Sequence, residues 1–128
     1  MIQPNPEIEV IIESAAQSAK KFNHEYVTLE HLLLALINYE PFGTLLYNFG
    51  SDNENLCKDL EDYLTAQTFL TSKKTNVVPR KTHALERVFN RAFTQVLFSG
   101  RSHMQIIDLF ISLYAEANSH ATYFLLKY

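Results

Sequence analysis

His24-Glu25-Tyr26-Val27-Thr28-Leu29-Glu30-His31-Leu32-Leu33-Leu34-Ala35-Leu36 is the stretch on which the fold turns. Thr28 has a side-chain oxygen able to accept from the open N–H groups of a helix start, so it predicts an N-cap. Glu30 follows in the first turn, where a carboxylate complements the positive end of the helix dipole. Val27, just before the cap, can staple onto Leu32. From Leu32 to Ile37 every residue is apolar, which leaves no face for water. Such a helix is expected at the buried centre of its half of the molecule.

Moving toward the N-terminus, a short polar link, Asn23-His24-Glu25, joins this helix to an earlier one. Asn5 is a good N-cap, Pro6 suits the first helical position, and Glu7 and Glu9 favour the same end. Ile8, Ile11, Ile12, Ala15, Ala19 and Phe22 then recur at helical spacing, and Lys20 and Lys21 fall in the last turn. Toward the C-terminus, Pro41 ends the central helix and opens a short third one through Leu45, Leu46 and Phe49, with Gly50 as its C-terminal cap. A fourth helix is predicted over Asn53–Thr65, with Leu56, Leu60, Tyr63 and Leu64 inward and an acidic outer face. Residues 66–81 lose the periodicity and read as a connector. A fifth helix begins near Thr82 and ends at Gly100, a sixth runs through Ile106 to Leu113, and a seventh starts near Asn118 and closes with Phe124, Leu125 and Leu126.

The two halves match in a single ungapped register. Ile8 pairs with Leu85, Ile11 with Val88, Ile12 with Phe89, Ala15 with Ala92 and Ala19 with Val96. Val27 pairs with Met104, Leu29 with Ile106, Leu32 with Leu109 and Leu36 with Leu113. The loop between the two helices keeps its length, so internal duplication explains the match better than chance amphipathicity. The expected fold is all-α, without strands: about seven helices in two repeats related by a pseudo-two-fold axis. Repeat one covers residues 5–65, the connector 66–81, and repeat two 82–128, without a counterpart of the fourth helix.

Bulk properties narrow the function. The 128 residues suit one domain, 47% of them are hydrophobic, and three glycines and four prolines argue against disorder. A net charge of −3 argues against a phosphate-binding surface for nucleic acid. The single cysteine, Cys57, has no partner for an internal disulfide, which suits a reducing compartment. The N-terminus does not read as a signal peptide, and the run Leu32–Ile37 is too short to span a bilayer, so a cytoplasmic protein is expected.

The stretch 24–36 resembles the first-repeat signature of the N-terminal domain of Clp ATPase chaperones. There a hydrophobe, Thr, any residue, Glu-His and then Leu-Leu-Leu-Ala-Leu open the second helix. Pro79, Thr82, Leu85, Arg87, Val88 and Ala92 resemble the start of the second repeat. Ser99-Gly100-Arg101 and Ala121-Thr122-Tyr123-Phe124-Leu125-Leu126-Lys127 look like the ClpA branch. The resemblance implies a docking domain, normally tethered by a flexible linker to two AAA+ modules, that binds adaptors such as ClpS or protein substrates directly. It implies no cofactor. In ClpC-like members an acidic position in each repeat helps to bind phosphoarginine. The second of these is Ile107 here, so a paired site of that kind is not expected. No Walker A sequence follows, so the chain is expected to be either a piece of a larger ATPase or a docking domain encoded alone.

By the same resemblance, Glu25 and Glu30 match acidic residues of the surface on which ClpA docks ClpS, and Thr82 and Arg87 match its polar and basic partners. Each also has an ordinary role open to it. Glu30 can serve the helix dipole, Thr82 can be an N-cap, and Arg87 can pair with a nearby surface carboxylate. His24 and His31 with Glu25 are a conceivable zinc set, but a spacing of seven suits no standard ligand pair, so solvated or capping roles are expected. Cys57 lacks an activating neighbour and reads as a core residue. Phe42, Tyr47, Phe49, Phe93 and Phe98 read mainly as core, although Phe93 and Phe98 fall off the inner face of their helix and could meet a partner. No nucleophile–base signature, paired carboxylates or phosphate loop is present, so an enzyme is not expected. The leading expectation is a module that docks an adaptor or a substrate for Clp proteolysis. Two others stand beside it: a stand-alone decoy or regulator of that system, and a structural module that homodimerises by burying Phe110 and Phe124.

Overall fold

Leu29–Asn38 forms α2, and its residues from Leu29 to Ile37 are all buried, as an apolar run without a wet face requires. In this computed structural model the described residues are 3–4, 6–22, 24–48, 50–66, 80–116 and 119–127. Around α2 lie α1 (Pro6–Lys21), α3 (Glu40–Asn48) and α4 (Asn53–Ala66) in the first repeat, and α5 (His83–Phe98), α6 (Ile106–Tyr114) and α7 (His120–Lys127) in the second. α1 packs on α2 as α5 packs on α6. The buried stripe of α1 is Ile8, Ile11, Ala15 and Ala19. That of α5 is Leu85, Val88, Ala92 and Val96, the twins of those four residues in the register of the duplication. Asn5, Phe49, Pro79, Asn118 and most of the connector lie outside the described residues.

The all-α architecture holds, with one addition to the expected absence of strands. Among the described residues four two-residue strands occur: β1 (Gln3–Pro4), β2 (Tyr26–Val27), β3 (Arg80–Lys81) and β4 (His103–Met104). They form two parallel pairs, Gln3 with His103 and Pro4 with Met104, and Tyr26 with Arg80 and Val27 with Lys81. The register that carries Ile8 to Leu85 also carries Gln3 to Arg80 and Tyr26 to His103. Each repeat therefore lends the strand before its first helix to the inter-helix loop of the other repeat. This reciprocal exchange is what a pseudo-two-fold axis produces, and it ties the halves together with backbone hydrogen bonds.

Helix ends follow local chemistry. Gly50 and Gly100 have φ of 92° and 74°, a region that costs a residue with a Cβ. At the first, Ser51 N–H donates to Leu46 O at 3.1 Å and Gly50 N–H to Tyr47 O at 2.9 Å. At the second, Arg101 N–H donates to Val96 O at 3.3 Å and Gly100 N–H to Leu97 O at 3.2 Å. Both are Schellman closures. Gly100→Ala is accordingly expected to lower the free energy of unfolding by about 1 kcal/mol in urea titration, because the left-handed φ is retained against a steric cost. For the last helix, Ser119 Oγ accepts Thr122 N–H at 3.1 Å, so Ser119 caps its start.

The histidines meet the expectation in part. His31 does cap α2, since its Nδ1 accepts the Thr28 backbone N–H at 2.9 Å. Neither ring is solvated, however, with His24 1% and His31 0% exposed. A backbone N–H can only donate, so the neutral His31 proton sits on Nε2, which lies 3.0 Å from His24 Nδ1. The other nitrogen of His24 then donates to the Leu64 carbonyl on α4, while Phe22 stacks on its ring with centroids 5.5 Å apart. A chain of three hydrogen bonds thus links the start of α2 to the end of α4. Burial holds both imidazoles below their ordinary pKa, His31 down to about 4, where the neighbouring His24 adds to the effect.

A further departure concerns the expected dimer surface. Phe124 is already buried within the chain, where its ring meets Tyr63 at 5.9 Å, and Phe110 meets Phe42 at 5.0 Å. Of the other aromatic residues expected mainly in the core, Phe42 is buried, whereas Tyr47, Phe93 and Phe98 are exposed.

Candidate docking site

Where the repeats meet, α1 and α5 diverge over an apolar slot of about 70 Å³. Ile12, Ala15 and Ala16 line it from α1, Leu85 and Phe89 from α5, and Val27 and Leu32 form its floor. Ile12 and Phe89 occupy the same position in their repeats, so the slot straddles the pseudo-two-fold axis. Small Ala15 and Ala16 leave room on one wall that the Phe89 ring does not fill. Lys81 closes one end, its Nζ 5.5 Å from the centroid of Phe89, an arrangement that holds a cation over an aromatic face.

The β2–β3 pair builds the rim. Arg80 N–H donates to Glu25 O at 2.9 Å and Thr82 N–H to Val27 O at 3.2 Å. These bonds bring Glu25 and Thr82, far apart in sequence, onto one edge with exposed Tyr26, Arg80 and Lys81. Thr82 is also the N-cap of α5, with Oγ1 accepting Leu85 N–H at 3.2 Å, so its ordinary role is present.

The other two expected residues lie elsewhere. Arg87 bonds Glu116 at 3.3 Å beyond the end of α6, and Arg91 bonds the same carboxylate at 2.9 Å. The α5 residues facing the slot are Leu85 and Phe89, so Arg87 belongs to a separate charged patch. Hydrogen bonding from Arg87, together with Arg91, holds the Glu116 carboxyl below its usual range. Glu30 is 7% exposed, and burial and then the Glu30 charge push the Tyr63 phenol on α4 up.

Sequence reasoning missed Arg80 and Lys81, which fell in the connector. They stand to Gln3 and Pro4 as Leu85 stands to Ile8, and that relation was the signal that they prolong the second repeat. Cys57 is half-buried, and burial, aided by Glu61, raises its thiol pKa, the reverse of what a nucleophile needs. Among the described residues no group of three or more His, Cys, Asp or Glu is placed to hold a metal ion, and no helix is long and apolar enough to cross a membrane. An apolar slot beside a mixed-charge rim is suited to reversible binding.

Comparison with known proteins agrees with this architecture. The family described as the Clp repeat (R) N-terminal domain matches residues 3–128. The chain belongs to that family. A "ClpA homolog protein" from Fuscovulum blasticum is 36% identical over 121 residues, which is 92% of the Clp N-domain described here but 15% of the relative. The N-terminal domain of Hsp104 from Candida albicans superimposes with a TM-score of 0.78 at 14% identity, over 99% of this chain and 81% of the other. The N-terminal domain of the ClpV1 ATPase from E. coli also gives 0.78, at 19% identity, over 98% and 77%. At these identities the two structures show a shared fold.

Proposed function

We propose that this Clp N-domain is a docking module that receives a ClpS-like adaptor or an apolar segment of a protein substrate on behalf of a Clp unfoldase and its protease. The observation that carries the reading is the open apolar slot on the pseudo-two-fold axis. Its wall ring, Phe89, is only partly covered, and a ring of that kind is a suitable anchor for a partner side chain. Glu25, Tyr26, Arg80, Lys81 and Thr82 surround one end with both signs of charge, which orients a partner more than it tightens one. Arg87, with Arg91 and Glu116, provides a second charged contact for a partner large enough to wrap α5. Glu30, buried beneath α4, serves the same surface by fixing the start of α2.

Calorimetric titration with a purified ClpS-like adaptor and with a permanently unfolded protein tests this. Phe89→Asp is expected to weaken binding at least about tenfold, and Glu25→Lys by a smaller factor that shrinks at high salt. Unchanged affinity in Phe89→Asp, or no binding of either ligand by the wild type, would end the reading.

A further inference from the structure

We infer that the slot between α1 and α5 is a seat for the last residue of a polypeptide chain, taking its aliphatic side chain between the apolar walls and its terminal carboxylate on Lys81. The inference rests on the docking reading above. It narrows the ligand to one chemical class, a peptide that ends in an aliphatic residue with a free carboxylate.

Size limits the guest. The slot holds about 70 Å³, roughly half of a 150 Å³ apolar cavity of the kind that takes up benzene. It admits one aliphatic side chain such as leucine and turns away an aromatic ring. Every lining residue except Lys81 is apolar, so an amide or a charge that entered would lose its water without gaining a partner. Lys81 therefore meets the polar group that the guest carries beside its hydrocarbon. Its Nζ lies over the Phe89 ring, and among the described residues no carboxylate forms an ion pair with it. Arg80 beside it brings this edge to two cations against the single carboxylate of Glu25. An anion is the complement.

Reach selects which anion. In an extended chain neighbouring side chains point to opposite faces, and the next one on the same face is about 7 Å further along. An acidic side chain flanking the seated residue is thus carried away from Lys81. The carboxylate of a terminal residue is not, because it is bonded to the Cα that bears the seated side chain. Lys81 also closes its end of the slot, where an internal residue would need its chain to continue.

The duplication shows that these features belong to one seat. Beyond the Ile12–Phe89 pair, the twin positions hold other residues. Phe93 stands for Ala16, Met104 for Val27 and Pro4 for Lys81. Bulk replaces the small wall residue there, and Pro4 brings no charge. Ala16 and Lys81 are accordingly the residues that set the preference, the first by the space it leaves and the second by its cation.

Two octapeptides of glycine and serine ending in leucine, one a free acid and the other an amide, are the probes. Each is titrated into the isotope-labelled 128-residue chain and followed by NMR. The acid is expected to shift Ala15, Ala16 and Phe89 with a dissociation constant of about a millimolar. The amide should bind about three- to fivefold more weakly. Lys81→Gln should lower the acid to the affinity of the amide, and Ala16→Phe, which installs the ring of the twin position, should abolish both. A free-acid peptide ending in glycine should not bind. Equal affinity for acid and amide would overturn the inference while leaving the slot reading intact. So would a preference that survives Lys81→Gln, unchanged binding in Ala16→Phe, or binding of the glycine-ended peptide. If neither leucine peptide binds, the inference falls as well, and the titrations with the adaptor and the unfolded protein then decide the slot reading separately.

Discussion

Leu34→Ala is expected to lower the free energy of unfolding by about 2–4 kcal/mol, and Ile111→Ala at the twin position by less than about 0.5 kcal/mol. The two residues occupy the same place in their repeats and differ by a single methyl position in shape. Their environments differ: Leu34 is 5% and Ile111 61% exposed. Truncating Leu34 removes about three buried carbons and leaves a cavity between α2 and its neighbours that a close-packed helix pair cannot collapse to fill. Truncating Ile111 removes apolar surface already in water, and alanine's better helix propensity offsets what contact is lost. Urea unfolding with unchanged m-values measures both. Equal losses at the two positions would mean that something already covers α6, and a midpoint that rises with protein concentration would identify it as another copy of the chain.

How much of this was legible in the sequence depends on the range of the interaction. The central helix was readable because Thr28, Glu30 and the run from Leu32 act locally, through a cap, a dipole and an apolar surface without a wet side. The duplication was readable because the buried stripes of α1 and α5 and the loops after them keep one offset. The strand pairs were not. Two residues cannot display an alternating pattern, and Tyr26–Val27 becomes a strand only because packed helices bring Arg80–Lys81 alongside.

The site divides in the same way. Glu25 and Thr82 were singled out separately, and the β2–β3 hydrogen bonds bring them onto one edge. Arg87 was singled out as one of a set, but the direction of its side chain depends on where α6 ends and presents Glu116. Glu30 resembled a surface acid because acids at helix starts usually are exposed, and only the packing of α4 shows otherwise. The histidines were the hardest case. A spacing of seven was measured along a helix, yet His24 precedes the helix, and a turn in the chain closes the gap to one hydrogen bond.

That hydrogen-bonded pair is expected to make the domain acid-sensitive. Stability is expected to hold above pH 6.5 and to fall as the pH drops toward 4. An unfolded histidine takes its proton near 6.5, whereas His31 in the fold does so only at about 4. Between those values the unfolded chain binds more protons than the native one, so lowering the pH favours unfolding. The full displacement corresponds to roughly 3 kcal/mol, a large share of what a domain of this size has in reserve. His24 is displaced in the same direction, but the two rings share a proton-bearing contact, so their contributions do not add independently. The carboxylates act lower on the scale. Burial works against it, but Arg101 and the Gln105 backbone N–H hold Asp108 below its ordinary value, and Arg87 and Arg91 hold Glu116 down. Their ion pairs therefore survive until the pH falls below the usual carboxylate range, and the loss above about 4.5 belongs to the imidazoles. His31→Gln separates the causes. A glutamine at this position can accept the Thr28 N–H and donate to His24 Nδ1, as the third residue of a capping box does, without titrating. Its free energy of unfolding, measured by urea titration from pH 7.5 to 4.5, should start lower than wild type and decline less steeply. A decline as steep as that of wild type would place the acid sensitivity outside the His24–His31 pair.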